Sequence, residues 1–300
     1  MPVYAVTGAS GHLGRLAIDQ LTVRGVPPSG IVAVVRTARC AASRADRGVQ
    51  VREADYSSPL TLTSALAGVD RLLLISSSEL GYLVTQHANV IEAAKRAGVS
   101  RIVYTSMLNA DESASPMAGE HRETERLLGE AGVPFTVLRN GYYTEVYTDH
   151  LSEYLHTGGI TGAAGQGKIS AATRKDYATA AAATLLQDQA GNRTYELGGP
   201  ALDLAGLAQV VTTVAGTKVT YRDLPPEEYV GTLQKAGLDE ATARFVVALD
   251  LSVARGDLET GSEDLANLIG HPDTSPAEPA RAAHDIVKLR EDLSTPSNCG

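Results

Sequence analysis

Apolar positions along the first 140 residues alternate between two spacings. Val3–Thr7, Ile31–Val35, Leu72–Ile75, Ile102–Tyr104 and Phe135–Leu138 are short, dense aliphatic runs, and Val49–Ala54 is a weaker one. Runs of this length and density predict strands buried on both faces. Between them the apolar residues space out to a helical period, as at Leu13, Leu16, Ala17 and Leu21. Helices are predicted over Pro59–Leu66, over Ala88–Ala97 with Gly98 as the stop, and over Gly119–Glu130. Strands alternating with helices in this rhythm predict an α/β fold, a doubly wound parallel sheet with helices on both faces.

Past Arg139 the rhythm loosens. A Gly-rich segment, Gly158–Gly167, interrupts it, followed by a predicted helix over Asp176–Gln187 and a strand over Thr194–Leu197. Beyond Asp203 the pattern is mainly helical, with one short strand near Val219–Arg222 and a helix opened by Pro225 and Pro226. Pro272, Pro276 and Pro279 mark a loop before a last helix, about Ala280–Leu293, and the small polar tail Ser294–Gly300 reads as mobile. The expected organisation is a sheet domain over 1–140 and a smaller, mainly helical substrate lobe over 141–300. Within the latter, about 171–197 returns to the sheet.

Composition narrows the function classes. The 300 residues are 43% hydrophobic and 20% charged, which fits a folded core. The net charge of −9 argues against a nucleic-acid partner, because binding phosphate backbones needs a basic face. No apolar run approaches the roughly 18 residues of a membrane span, and no basic-then-apolar leader opens the chain. Cys40 and Cys299 form no disulfide framework, so free thiols in a reducing cytoplasm are expected. Neither they nor the histidines show metal-ligand spacing, so no metal is expected. The aromatics are lopsided: 12 Tyr, 2 Phe and no Trp. Four of the tyrosines (Tyr142, Tyr143, Tyr147 and Tyr154) cluster just past the sixth predicted strand.

The chemistry concentrates at predicted strand ends. Gly8, Gly11 and Gly14 form G-x-x-G-x-x-G where the first strand stops, with Ser10, His12 and Leu13 between them. In this strand–turn–helix setting the first glycine permits the turn. The second lets a pyrophosphate approach the helix N-terminus, and the third lets helix and strand pack closely. Where an NAD enzyme usually carries an acid after the second strand, this chain has Arg36. A guanidinium there suits a 2′-phosphate, which favours NADPH with NADH as the alternative; a solvated surface arginine is the competing reading. Asp55 could accept from an adenine amine or act as a helix N-terminal acid. Ser76, Ser77 and Ser78, then Thr105 and Ser106, then Asn140, Gly141, Tyr142 and Tyr143 stand at later strand ends, where the nicotinamide half should run.

These segments resemble the NmrA-like, atypical short-chain dehydrogenase/reductases, with their Rossmann-like fold. The likeness rests on the glycine motif, Val34-Val35-Arg36, Ala54-Asp55-Tyr56, Leu72 to Ser78, Leu138 to Tyr143, Gly162 to Lys168 and Leu268-Ile269-Gly270-His271-Pro272. Within that family the bacterial NAD(P)H:quinone oxidoreductase type 2 group is most similar, and the triphenylmethane dye reductases are a sister group. The resemblance implies flavin-free hydride transfer from NADPH to a small-molecule quinone. Gly8 to Leu13 would hold the pyrophosphate, and Arg36 the 2′-phosphate. Ser76 to Ser78 and Asn140 to Tyr143 would flank the nicotinamide, and Lys168 would reach or close over the cofactor. Asn140, Tyr142 and Tyr143 are the candidate catalytic residues, with Tyr147 beside them; a homodimer is compatible with all of this. The alternatives are reduction of another conjugated acceptor, such as a triarylmethane dye, and a non-catalytic NADP-sensing regulator.

Two departures matter. No tyrosine is followed four residues later by lysine, the pair that alcohol dehydrogenation would use; Glu120-His121-Arg122-Glu123 stands in that region instead. A quinone fits better, since solvent can protonate its reduced oxygen and the protein supplies mainly orientation. His121 reads as an exposed helix histidine rather than a general acid, and Glu123 and Glu125 as solvated acids. Gly162 to Lys168 spells G-x-x-x-x-G-K, but Ile169 stands where a P-loop needs Ser or Thr.

Overall fold

The computed structural model describes residues 1–188 and 190–294; the tail past Ser294, with Cys299, lies outside them. The first half runs β1 Tyr4–Val6, α1 His12–Val23, β2 Ile31–Val35, α2 Ala42–Ala45, β3 Gln50–Glu53, α3 Pro59–Ala65, β4 Arg71–Leu74, α4 Leu83–Arg96, β5 Arg101–Met107, α5 Ala118–Glu130 and β6 Phe135–Asn140. The second runs α6 Glu145–Thr148, α7 Leu151–Thr157, β7 Gly159–Gly162, β8 Lys168–Ile169, α8 Arg174–Leu186, β9 Arg193–Leu197, β10 Leu202–Asp203, α9 Leu204–Ala215, β11 Thr220–Asp223, α10 Pro226–Lys235, α11 Glu240–Ala254, α12 Asp264–Ile269 and α13 Ala277–Ser294.

Strand residues divide by the two-residue period into opposite cores. Val6, Ile31, Ala33, Val35 and Leu73 face one way and pack on Leu13, Ala17, Ile18 and Leu21 of α1 and on α8. Ala5, Val32, Val34, Leu72 and Leu74 face the other way, onto Leu62 of α3, Val90, Ile91 and Ala94 of α4 and Leu128 of α5. Helices therefore cover both faces, and the aliphatic runs follow from burial on both sides. The α8 helix is buried almost all round, and alanines Ala178 and Ala180–Ala183 let it lie close to α1 and the sheet.

Seven strands form one parallel sheet in the order β3-β2-β1-β4-β5-β6-β9. Chain order reverses between β1 and β4, which opens a crevice beyond their carboxyl ends. The last strand, β9, is contributed from beyond the second-lobe segment 141–170 and pairs Thr136 with Arg193 through Asn140 with Leu197.

The region past β6 is mainly helical, as expected, and adds two short strand pairs. In it β7 pairs in parallel with β11, and β8 antiparallel with β10. Glycine content hides β7 in the sequence. A Cβ on Gly159 would lie 3.1 Å from the Thr220 carbonyl, and one on Gly162 would lie 2.7 Å from Asp250 Oδ2. Close approach explains these glycines.

Arg139, at the end of β6, ties the halves together. Its guanidinium, 10% exposed, lies 2.7 Å from Glu125, 2.8 Å from Glu196 and 2.8 Å from Asp111. Glu125 also accepts from the Ser106 hydroxyl at 2.6 Å, so it belongs to a shielded ion network and is not the solvated acid its charged helix suggests. Glu123 is exposed, paired with Arg126 at 2.6 Å. Asn109 sits at φ +53°. Its backbone N–H donates to Glu196 at 2.9 Å, and its side-chain amide donates to the carbonyls of Asp257 and Glu259 in the second lobe. Removing Arg139 would leave three carboxylates facing one another. Arg139→Ala is expected to cost about 3–5 kcal/mol of stability, read as a lower urea midpoint.

Candidate cofactor cleft

The turn after β1 has a required shape. Gly8 adopts φ +59°, and a Cβ on Gly14 would lie 2.4 Å from the Gly8 carbonyl oxygen. No side chain caps α1, so its first-turn N–H groups stay free for an anionic ligand. Thr7 pins the neighbouring strand end: its hydroxyl donates to the Leu73 carbonyl at 3.2 Å and accepts from the Ile75 N–H at 3.1 Å.

These pieces border a cleft of about 410 Å³ at the strand-order reversal. Of the residues expected from sequence, Gly8, Ser10, Gly11, His12, Leu13, Gly14, Arg36, Asp55, Ser76, Ser77, Ser78 and Tyr143 all line it. Arg36 is exposed and holds Glu79 at 3.1 Å; Gln86 donates to the other Glu79 oxygen at 2.7 Å. Asp55 accepts from the Ser57 N–H at 2.7 Å, the turn-capping role that competed with adenine binding. Lys168 is not at the cleft: its ammonium lies 3.7 Å from Glu259 in the second lobe. Gly141 and Tyr142 are also off its walls. Gly141 packs so tightly that a Cβ would meet the Ser170 carbonyl at 2.5 Å, and Tyr142 packs, with Tyr147 and Tyr154, into the second-lobe core.

Asn140 stands just behind the wall. Its Oδ1 is buried with no partner among the described residues. Such an orphan is expensive unless a ligand completes it, and a nicotinamide carboxamide offers the needed N–H. Burial pushes the Tyr143 phenol up, and Arg174, stacked 5.3 Å above the ring, opposes that. Tyr56, part of the Ala54-Asp55-Tyr56 segment, also lines the cleft, as do Arg174, Glu79 and Gln86, which carry no motif of their own. Arg174 lies more than 30 residues beyond Tyr143 and meets it only because α8 returns to the sheet.

Behind the serine strip lies a stack of rings. Tyr56, His87, Tyr104 and His121 follow one another at centroid distances of 6.3, 5.3 and 6.0 Å. His121 is therefore a core residue, 4% exposed, with Nδ1 2.7 Å from the Tyr104 hydroxyl, and not the exposed histidine expected of a charged helix. His87 Nε2 accepts the Ser77 N–H at 3.0 Å, so the neutral ring carries its proton on Nδ1 and donates to Thr124 Oγ1, also at 3.0 Å. The Thr105 hydroxyl accepts the Ser76 N–H at 2.9 Å. The backbone of the strip is thus held from behind while its side chains face the cleft.

The chain's relatives agree with this geometry. Residues 8–188 match the family described as NAD(P)H-binding. Quinone oxidoreductase 2 of Escherichia coli (strain K12) is 46% identical over 275 residues, which cover 91% of this chain and 96% of that protein. The chain belongs to the NAD(P)H-binding, NmrA-like family. Among solved members, the NADPH-dependent quinone oxidoreductase of Escherichia coli in complex with NADPH superposes with a TM-score of 0.90 at 44% identity. That match covers 95% of this chain and 100% of the other. Triphenylmethane reductase of Citrobacter sp., complexed with NADP(H), gives 0.89 at 38%, covering 93% and 99%. An NmrA-like protein with this cleft places its glycine turn, its arginine and its serine strip along one dinucleotide-sized path.

Burial depresses both core histidines, His87 to about 3 and His121 to about 4. The unfolded chain takes up their protons from about pH 6.5 downward and the folded chain does not, so stability falls as pH drops through that window. His87→Gln is expected to flatten the urea-midpoint profile between pH 6.5 and 4 by up to about 1.4 kcal/mol per pH unit.

Proposed function

We propose that the chain is an NADPH-dependent oxidoreductase that passes hydride directly to a quinone, working in the cytoplasm. The observation that carries this is the single cleft shared by the Gly8–Gly14 turn, Arg36, the serine strip and Tyr143. The pyrophosphate lies on the free N–H groups of α1. Arg36 exchanges Glu79 for the 2′-phosphate, which offers it a stronger charge and bidentate bonding. Ser76 to Ser78 guide the ribose, and Asn140 Oδ1 fixes the carboxamide while Tyr143 shields the ring. The bound nicotinamide supplies the hydride, and the chain supplies orientation and a partly dry pocket. The 46%-identical quinone oxidoreductase and the NADPH-bound relative support the acceptor and the cofactor. Similarity to triphenylmethane reductase favours conjugated dyes as a second acceptor class.

NADPH absorbance at 340 nm should fall steadily with benzoquinone. Tight cofactor binding with no oxidation across a quinone panel would instead favour an NADP sensor. Arg36→Ala should weaken NADPH binding about tenfold or more and NADH binding far less. Removing the internal competitor works the other way: Glu79→Gln should tighten NADPH about two- to fivefold in a fluorescence titration, the scale of an exposed ion pair.

A further inference from the structure

One corner of the cleft brings an acid and a guanidinium together from opposite sides of β1. Arg36 follows β2 and Glu79 follows β4, and in the sheet β1 lies between those two strands. The pair, 3.1 Å apart, therefore spans the end of β1, beside the Gly8 turn. Both residues line the cleft. Three bonds place Glu79. Its backbone N–H donates to the Ser77 hydroxyl at 3.2 Å, and its carbonyl accepts the Tyr82 N–H at 3.0 Å. The carboxylate oxygen turned away from Arg36 accepts from Gln86 Nε2 at 2.7 Å.

Gln86 is itself fixed. It is 5% exposed, on the first turn of α4, and its Nε2 also reaches the Ser57 hydroxyl at 3.3 Å. The Glu79 carboxylate decides which way the amide points, since only the nitrogen can donate to it. That leaves Oε1 buried with no partner among the described residues. An orphaned acceptor on a cleft wall lacks a donor. The adenosine half of a dinucleotide brings such donors: an amine on the base and, without a 2′-phosphate, two ribose hydroxyls. In dinucleotide folds an acid near the end of β2 reads the 2′-hydroxyl. Here Arg36 stands at that place, and the acid arrives from β4 instead.

We propose that Glu79 sets the cofactor preference of this site: it accepts the ribose 2′-hydroxyl of NADH and yields Arg36 to the 2′-phosphate of NADPH. The assignment rests on the cleft being the cofactor site. The carboxylate then occupies the place at Arg36 that a 2′-phosphate takes, one hydrogen bond from a bare 2′-oxygen. With NADH the Arg36–Glu79 pair stays closed, and the hydroxyl donates to the carboxylate in a charge-assisted bond. With NADPH the phosphate and the carboxylate carry charge of the same sign and compete for one guanidinium, so Glu79 leaves Arg36 while Gln86 retains it. One residue thus helps one cofactor and opposes the other. A residue that merely shaped the loop would affect both alike.

The test titrates NADPH, NADH and reduced nicotinamide 2′-deoxyadenine dinucleotide, which lacks only the 2′-hydroxyl of NADH, by cofactor fluorescence. Wild type should bind the deoxy cofactor about tenfold more weakly than NADH, and Glu79→Ala should bind the two alike. Glu79→Ala should also weaken NADH about tenfold while NADPH tightens about two- to fivefold, so that preference for NADPH grows about twentyfold or more. Parallel changes for NADH and NADPH would overturn the proposal, as would an unchanged NADH affinity, undetectable NADH binding by wild type, or wild-type indifference to the 2′-hydroxyl. Any of these alongside steady NADPH oxidation by benzoquinone leaves the hydride-donor reading intact. Opposite shifts without oxidation by any quinone would instead sink hydride transfer and leave the role of Glu79 standing.

Discussion

The contact between Gly14 and the Gly8 carbonyl sets the geometry of everything around it. A single methyl at Gly14 would sit 2.4 Å from that oxygen, so α1 would have to back away from β1. The helix would then carry its free N–H groups out of line with the crevice at the strand reversal, and Leu13, Ala17, Ile18 and Leu21 would lose their seat on the sheet. Site and core depend on one close approach, so the position is constrained twice over.

Around that contact the polar groups act from behind. Thr7, Thr105 and His87 each bind backbone N–H groups of the segment leaving β4 and leave its serine side chains unengaged by these bonds. A neutral histidine serves because it accepts at one nitrogen and donates at the other, and so is fully satisfied inside an apolar stack. Arg139 does comparable work at the end of β6, where three acidic side chains from separate elements converge on one guanidinium.

The sheet was legible because burial on both faces writes dense aliphatic runs, and the glycine turn because backbone clashes leave no other residue. The cleft's glycine and serine walls followed from the same logic. What stayed hidden lay where sequence distance and spatial distance part. Arg174 reaches Tyr143 only through the return of α8, and the acidic character of α5 gave no sign that His121 and Glu125 point inward. Lys168 sat in a phosphate-like glycine run, yet those glycines serve close packing, with a Cβ on Gly167 falling 2.2 Å from the Val253 carbonyl. The tyrosine cluster past β6 split in two, one ring joining the cleft and three the neighbouring lobe.

The late arrival of β9 bears on how the chain folds. Its Glu196 meets Arg139 across 57 positions of sequence, so the sheet's outer edge closes only after much of the intervening lobe has been spanned. Until then β6 is an open strand edge with unpaired N–H and C=O groups, and Arg139 lacks one of its partners. Parallel pairing at such separation carries a high loop-closure cost, which slows the late step and lengthens the exposure of that edge. A nascent chain released before Leu197 would present that edge to other chains, so intermolecular strand pairing at β6 is the characteristic hazard of this topology.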